Sequence, residues 1–320
     1  MVFRHLARRF DASASLAQGA DAAQAAVSGL HVAIATGTAS GKSLAYTMPI
    51  VAAVMNDEGS ALSDPCALYL APTKALANDQ ARAWRDLALP GIREAVVDGD
   101  SNADERAWAR RHANVVLTNP DMLHYSLLPG HERWSRLLRN LRYIVVDEAH
   151  AYRGVFGAHV SLVLRRLRRL AEHHRSSPKV IAASATSGAP ERSVARLIGA
   201  PVTAITEDSS PTPERTVVLW QSPTDDGGSS ATRDAAALTS AAVRQGCQVL
   251  TFLRSRRAVE YVASLVREQH AEDASTPPGS NAIAAYRGGF LAEERRALED
   301  GLRSGSIRAL ATTNALELGI

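Results

Sequence analysis

Short aliphatic and β-branched runs alternate along the chain with longer stretches whose apolar residues recur at helical spacing. The short runs fall near 31–35, 66–71, 94–97, 114–117, 142–146, 179–183 and 202–206. Between them, Lys74 to Leu89 places Leu76, Ala77, Gln80, Ala83, Trp84 and Leu87 on one helical face. This alternation predicts α/β units built on a parallel sheet. A polar, Pro-rich stretch, EDSSPTPER at 207–215, interrupts it and reads as an interdomain linker, followed by TVVLW and a second flexible segment, PTDDGGSS, at 223–230. A new alternation then pairs helix 232–245 with strand 247–252, helix 255–269 with strand 282–286, and helix 291–304 with strand 307–312. One α/β domain over 1–206, a linker region over 207–230 and the start of a second domain over 231–320 are expected. No internal repeat is visible, and HAEDASTPPGSN at 270–281 reads as a surface loop.

Bulk composition adds limits. With 320 residues, 46% hydrophobic and 22% charged, the chain is of ordinary globular type and long enough for two cores. The longest apolar run, Leu44 to Met55, is broken by Thr47 and Pro49 and is too short to span a bilayer. MVFRHLARRF is basic but leads into no apolar core or cleavage site, so no secretory signal is visible and a cytoplasmic location follows. A net charge of +3 does not by itself imply a polyanionic partner. Arg165, Arg166, Arg168 and Arg169, and the pairs Arg256–Arg257 and Arg295–Arg296, read as solvated helix faces first and nucleic-acid contacts second. Cys66 and Cys247 sit in apolar runs and are expected as buried free thiols.

Two stretches carry chemistry. HVAIA ends at Ala35, a loop of small residues follows, and Lys42-Ser43 opens an apolar helix, the order a phosphate cradle needs. Backbone N–H groups around Thr38 to Ser43 suit a β-phosphate, Lys42 suits the β and γ oxygens, and the Ser43 hydroxyl suits Mg²⁺. Thr36 and Ala39 stand where the general G-x-x-x-x-G-K-[ST] pattern and its relatives have glycines, and a small-residue turn before a buried helix is the plain alternative. About one hundred residues on, LRYIVV delivers Asp147-Glu148-Ala149-His150 at a strand's carboxyl end, where α/β sheets place ligands. Adjacent acids there can hold Mg²⁺ with one carboxylate and deprotonate the attacking water with the other; capping a helix is the plain alternative.

Asp147-Glu148-Ala149-His150 together with Lys42 resembles the ATPase core of superfamily-two DEAH-box helicases and translocases. Further segments follow that family's order. Ala71-Pro72-Thr73-Lys74-Ala75-Leu76 resembles motif Ia, Thr118 to Leu123 motif Ib, Ser184-Ala185-Thr186 motif III, Val249 to Arg254 motif IV and Thr312 to Ile320 the start of motif V. TGTASGKS, DGD with ER at 98–106, TNPDML, DEAHAYRGVFGAHV, SATSG, YRGGFLAEERR and NALELGI are together similar to the YprA-like bacterial helicases and their RecQ-four-like eukaryotic relatives. That group uses TGTASGKS as its own form of the loop.

The resemblance implies tandem RecA-like domains of P-loop NTPase type, with parallel sheets flanked by helices and the second domain incomplete. It implies an ATP- and Mg²⁺-dependent DNA helicase that moves 3′ to 5′ on single-stranded or tailed duplex DNA and serves DNA repair. By it, Thr36, Gly37, Thr38, Ala39, Ser40, Gly41, Lys42 and Ser43 bind ATP, Ser43 and Asp147 hold the metal, and Glu148 is the general base. His150, Ser184, Ala185 and Thr186 couple hydrolysis to movement. Thr73, Lys74, Thr118 and Asn119, with Arg287, Thr312 and Thr313 from the second domain, touch the DNA backbone. For Thr118 and Asn119, capping a helix that starts near Pro120 serves equally, and Arg287 beside Gly288-Gly289 reads as well as a surface charge.

The family's upstream His-Gln pair, which reads adenine, has no match in SLAQGADAAQAAVSG, where Gln18 is displaced by one position and Gln24 lies elsewhere. The chain ends at Ile320, before the motif whose arginine fingers supply roughly 10³–10⁵-fold in rate in related systems. By itself it is expected to bind nucleotide weakly, to hydrolyse it poorly and to expose apolar edges in its second domain. A non-catalytic ATP- or nucleic-acid-binding module and an RNA-directed enzyme are the alternatives.

Overall fold

A computed structural model describes residues 15–35, 42–56, 64–184, 189–207, 214, 216–222, 230–271, 282–287, 290, 292–313 and 316. The chain divides into two compact units, residues 1–213 and 214–320. Among the described residues no helix is long and apolar enough to cross a membrane.

The first unit runs α1 (Ser15–Val27), β1 (Val32–Ala35), α2 (Lys42–Met55), β2 (Cys66–Leu70), α3 (Lys74–Asp86), β3 (Glu94–Val96), α4 (Ala103–His112) and β4 (Val115–Thr118). Short helical turns over Pro120–Met122, Leu123–Leu127 and His131–Trp134 lead to α5 (Ser135–Arg139) and β5 (Leu141–Val146). A turn at Ala149–Ala151 is followed by α6 (Gly154–His173), β6 (Lys179–Ser184), α7 (Pro190–Ile198) and β7 (Thr203–Ile205). The seven strands form one parallel sheet in the order β3-β4-β2-β5-β6-β1-β7.

Parallel sheets are covered on both faces, so their strands are apolar throughout and do not alternate. Every residue of β1, β2 and β4 is buried accordingly. Leu68, Val116, Ile144, Val146 and Val180 look to one face, where they meet Val160, Leu164 and Leu167 of α6 and Val194 and Ile198 of α7. Val32, Ile34, Tyr69, Leu117 and Val145 look to the other, where they meet Leu44, Tyr46 and Val51 of α2 and Leu76, Ala77 and Trp84 of α3. Because all strands run the same way, their carboxyl ends share one edge of the sheet. Register brings Leu70 beside both Thr118 and Val146, and Ala35 beside Ser184.

Local signals start and stop the helices. Thr73 caps α3 by accepting from Leu76 N at 3.2 Å, and Asn102 with Glu105 forms a reciprocal capping box on α4. Arg165 and Arg169 of α6 are exposed and Arg166 and Arg168 half-buried, in keeping with the solvated face expected of them, and two of the four also reach a neighbouring helix. Arg165 Nη2 donates to Arg196 O and Arg168 Nη1 to Ile198 O, both at 2.8 Å, satisfying orphan carbonyls at the end of α7.

The second unit contains α8 (Ala231–Arg244), β8 (Val249–Phe252), α9 (Arg256–Ala271), β9 (Ile283–Tyr286), α10 (Ala292–Ser304) and β10 (Ala309–Thr312), with a parallel sheet ordered β8-β10-β9. Central β10 is buried along its length, whereas edge strand β8 leaves Leu250 43% and Phe252 53% exposed. Cys66 is buried as expected, and burial pushes its thiol up to about 12. Cys247 is exposed, against expectation, because it precedes the edge strand and its N–H closes the end of α8 on Ala242 O.

Candidate functional site

Strand β1 delivers the chain toward the start of α2, with the loop Thr36, Gly37, Thr38, Ala39, Ser40 and Gly41 outside the described residues. Lys42 opens the helix and its Nζ donates to Ser184 O at 3.3 Å, so the first helical residue after β1 reaches the end of neighbouring β6. Ser43 follows it, partly buried in the first turn. Ala185 and Thr186 lie outside the described residues.

At the end of β5, Asp147 N donates to Leu70 O at 3.0 Å, which carries the β2–β5 pairing one step past the strand. The Asp147 side chain is 9% exposed and both of its oxygens are held. Oδ1 accepts from Glu148 N at 2.8 Å, and Oδ2 accepts from the Tyr69 hydroxyl. Burial raises the pKa of this carboxyl; the Tyr69 bond, the Glu148 N–H and the charge of Lys42 oppose that rise.

Glu148 adopts a left-handed backbone, φ 46° and ψ 46°, unusual for a residue with a Cβ. Such a conformation costs on the order of 1–3 kcal/mol and persists where surrounding structure enforces it, often at functional sites. Here it turns the chain sharply off β5 and sets Glu148 Oε2 3.1 Å from His150 Nδ1. A carboxylate so held is oriented as an acceptor and keeps a second oxygen for a proton. Beyond the turn, Gly157 packs against the Tyr152 carbonyl so closely that a Cβ there would lie 2.6 Å from its carbon. Gly157→Ala must displace the backbone between the acidic turn and α6. We expect about 1–3 kcal/mol of destabilisation, read as a lower unfolding midpoint; an unchanged midpoint would show that the turn is free to shift.

Magnesium is commonly held by one or two carboxylates together with nucleotide phosphates and water, not by a protein cage. Asp147 suits that demand, being buried with both oxygens oriented by hydrogen bonds. Among the described residues no group of three or more His, Cys, Asp or Glu converges as a metal cage, at this turn or away from it. A cleft of about 650 Å³ adjoins the turn, lined by His150, Tyr152, Ser184 and the opening turns of α6 and α7.

Residues expected to face a strand divide into two groups. Thr73 and Lys74 stand at the start of α3 on the same sheet edge, with Lys74 Nζ 2.8 Å from Asp100 of the turn after β3. Asn119 caps the following turn by accepting from Met122 N at 2.9 Å. Thr118 is only 1% exposed and its hydroxyl donates to Val97 O at 2.6 Å. It fastens β4 to the end of β3, so its side chain serves the sheet here and neither caps the turn at Pro120 nor faces outward toward a strand. In the second unit Thr312 is likewise fully buried, its hydroxyl spent on Thr313 O at 2.9 Å, while Thr313 itself is partly exposed. Arg287 pairs with Glu260 at 2.7 Å and lies over the Phe290 ring.

Sequence reasoning missed Tyr69, Tyr46, Gln80 and Asp100. For the tyrosines a signal existed: a phenol in an otherwise aliphatic strand or buried helix face brings a hydroxyl that must find a partner.

Comparisons with known proteins bear on this geometry. The family model for DEAD/DEAH box helicases matches residues 18–194. The chain is 38% identical over 299 residues to YprA of Bacillus subtilis, described as an uncharacterized ATP-dependent helicase, covering 91% of this chain and 39% of that protein. It is 38% identical to the ATP-dependent helicase HRQ1 of Saccharomyces cerevisiae over 94% of this chain and 28% of that one. The chain thus spans well under half the length of these relatives. Among solved structures, the DUF1998 helicase MrfA bound to DNA and AMPPNP superposes with a TM-score of 0.86 at 38% identity, over 95% of this chain and 42% of that one. The parallel α/β organisation is that of RecA-like helicase domains. With its acidic turn at the end of β5, its lysine at the head of α2 and a family match spanning more than half its residues, the chain belongs to the DEAD/DEAH box helicases.

Proposed function

We propose that this chain is the ATP-binding and strand-engaging part of an ATP-dependent DNA helicase of the DEAH type. Its first unit is read as the ATP-binding helicase domain and its second as the start of the C-terminal one. The observation that carries the reading is the convergence of Lys42, Asp147 and the His150-held Glu148 on one edge of a parallel sheet. The likeness to MrfA, whose structures contain DNA and AMPPNP, supports it.

In this reading the loop 36–41 cradles the phosphates, and Lys42 neutralises the β and γ oxygens. Ser43 and Asp147 hold the magnesium ion, which when bound draws charge off the γ-phosphate. Glu148 accepts the proton of the attacking water, oriented for that by His150. His150 and the residues Ser184, Ala185 and Thr186 pass the change of nucleotide state on to movement. Thr73, Lys74 and Asn119, with Arg287 and Thr313 from the second unit, meet a strand through its phosphates, which fits any sequence. Unwinding in DNA repair, in the cytoplasm, completes the proposal.

ATP turnover by the chain, measured with no nucleic acid, with single-stranded DNA and with single-stranded RNA of matched length, tests it. Stimulation by DNA is expected. Stimulation by RNA alone would make the chain an RNA-directed enzyme, and indifference to both would leave a binding module.

A further inference from the structure

The side chain that sets the direction of Asp147 comes from the neighbouring strand. Tyr69 is the penultimate residue of β2, in register with Val145 and thus two positions short of Asp147 on β5. Its side chain lies on the face covered by α2 and α3, and its ring is 1% exposed. The hydroxyl ends on Asp147 Oδ2, so the carboxylate is turned toward the face from which Lys42 and Ser43 arrive. With Oδ1 taken by Glu148 N, rotation about the carboxylate's own bond is blocked at both oxygens, while each keeps a lone pair for a cation.

Tyr69 is in turn braced. Tyr46 lies one helical turn after Lys42 on the same side of α2, and its ring meets Tyr69 edge-on, with centroids 5.6 Å apart and planes at 66°. The Tyr46 hydroxyl donates to Gln80 Oε1 on α3 at 3.2 Å. The helix that begins with Lys42, the helix that begins with Lys74 and the acidic turn that follows β5 therefore meet on two buried phenols.

We propose that Tyr69 is a positioning residue for the nucleotide-bound magnesium ion, presenting Asp147 in one fixed orientation, with Tyr46 and Gln80 holding the Tyr69 ring in place. The proposal rests on the ATP-binding reading above. A buried carboxylate freed of this donor would swing among several orientations and lose an obligatory hydrogen bond, and the ion would have to order it. Partners that orient metal-binding side chains are worth roughly 10–100-fold in metal affinity where they have been removed.

The test titrates Mg²⁺ into the chain with a fluorescent ATP analogue and reads the half-saturating Mg²⁺ in wild type, Tyr69→Phe, Asp147→Asn and the double variant. Tyr69→Phe is expected to raise it by roughly 10–100-fold, with nucleotide affinity in EDTA and circular dichroism unchanged. In the Asp147→Asn background Tyr69→Phe is expected to add nothing, because the hydroxyl acts through that carboxylate. The same half-saturating Mg²⁺ in Tyr69→Phe as in wild type, or a full shift that persists without Asp147, overturns the proposal. Wild-type binding that ignores Mg²⁺ overturns the ATP·Mg²⁺ reading itself and the proposal with it. Should Tyr69→Phe not fold, Tyr46→Phe, which releases only the brace, must shift the Mg²⁺ requirement in the same direction; no shift in it counts against the proposal.

Discussion

Glu148→Gln lowers whatever ATP turnover this chain sustains by about 10²–10⁴-fold, the range for loss of a general base, and leaves ATP bound. The amide has the carboxylate's shape, and its oxygen still accepts from His150 Nδ1, 3.1 Å from the present Glu148 Oε2. It has no basic oxygen to take a proton from water. The left-handed backbone at position 148 strains Gln as it strains Glu, so the turn off β5 and the Asp147 contact with the 148 N–H are retained. Single-turnover hydrolysis measured beside nucleotide affinity separates the two effects. A variant that hydrolyses ATP as fast as wild type would remove Glu148 from the base role and leave the acidic turn a structural feature.

Lys42→Ala acts one step earlier, on binding. Charge-assisted hydrogen bonds contribute about 1.5–3 kcal/mol each, so loss of the ammonium weakens ATP binding by roughly one to two orders of magnitude. The fold gives little reason for collateral damage. Lys42 stands at the first position of α2, alanine is a good helix former, and the 3.3 Å bond to Ser184 O that is lost is long and only part-buried. An unfolding midpoint close to wild type, together with the weakened binding, is the expected pair of results. Unchanged affinity would mean that the nucleotide phosphates lie elsewhere.

Much of the first unit could be read from the chain because a doubly covered parallel sheet writes itself as solid apolar runs. Strands such as LYL and YIVV needed no knowledge of their partners. What escaped depended on partners distant in sequence. RRLRR is the solvated face it looked like, but the carbonyls that Arg165 and Arg168 also satisfy belong to a helix some 30 residues downstream and left no mark on the local sequence. CQVLTF looked like strand from its first residue, yet pairing starts at Val249, since Gln248 spends its amide on Leu302 O and Ile307 O and Cys247 is exposed.

The site shows the same division. Spacing and chemical type singled out Lys42, Asp147 and Glu148, and the structure puts Lys42 at the head of α2 and the two acids at the end of β5. Thr118 and Thr312 share the motif letters but not the exposure: each sits at the last position of a covered strand with its hydroxyl turned to a backbone carbonyl. Tyr69 carries no motif meaning of its own, and its bond to Asp147 is visible only once β2 and β5 are side by side.

The central claim is that Lys42 and Asp147, joined by the loop between β1 and α2, form a single site for magnesium-bound ATP. Equilibrium titration of the wild-type chain with a non-hydrolysable ATP analogue, with Mg²⁺ present and with Mg²⁺ chelated, tests it most directly. The account predicts saturable binding of a single nucleotide that weakens sharply when the metal is removed. No saturable binding at all, or binding of the same strength with and without Mg²⁺, would contradict it.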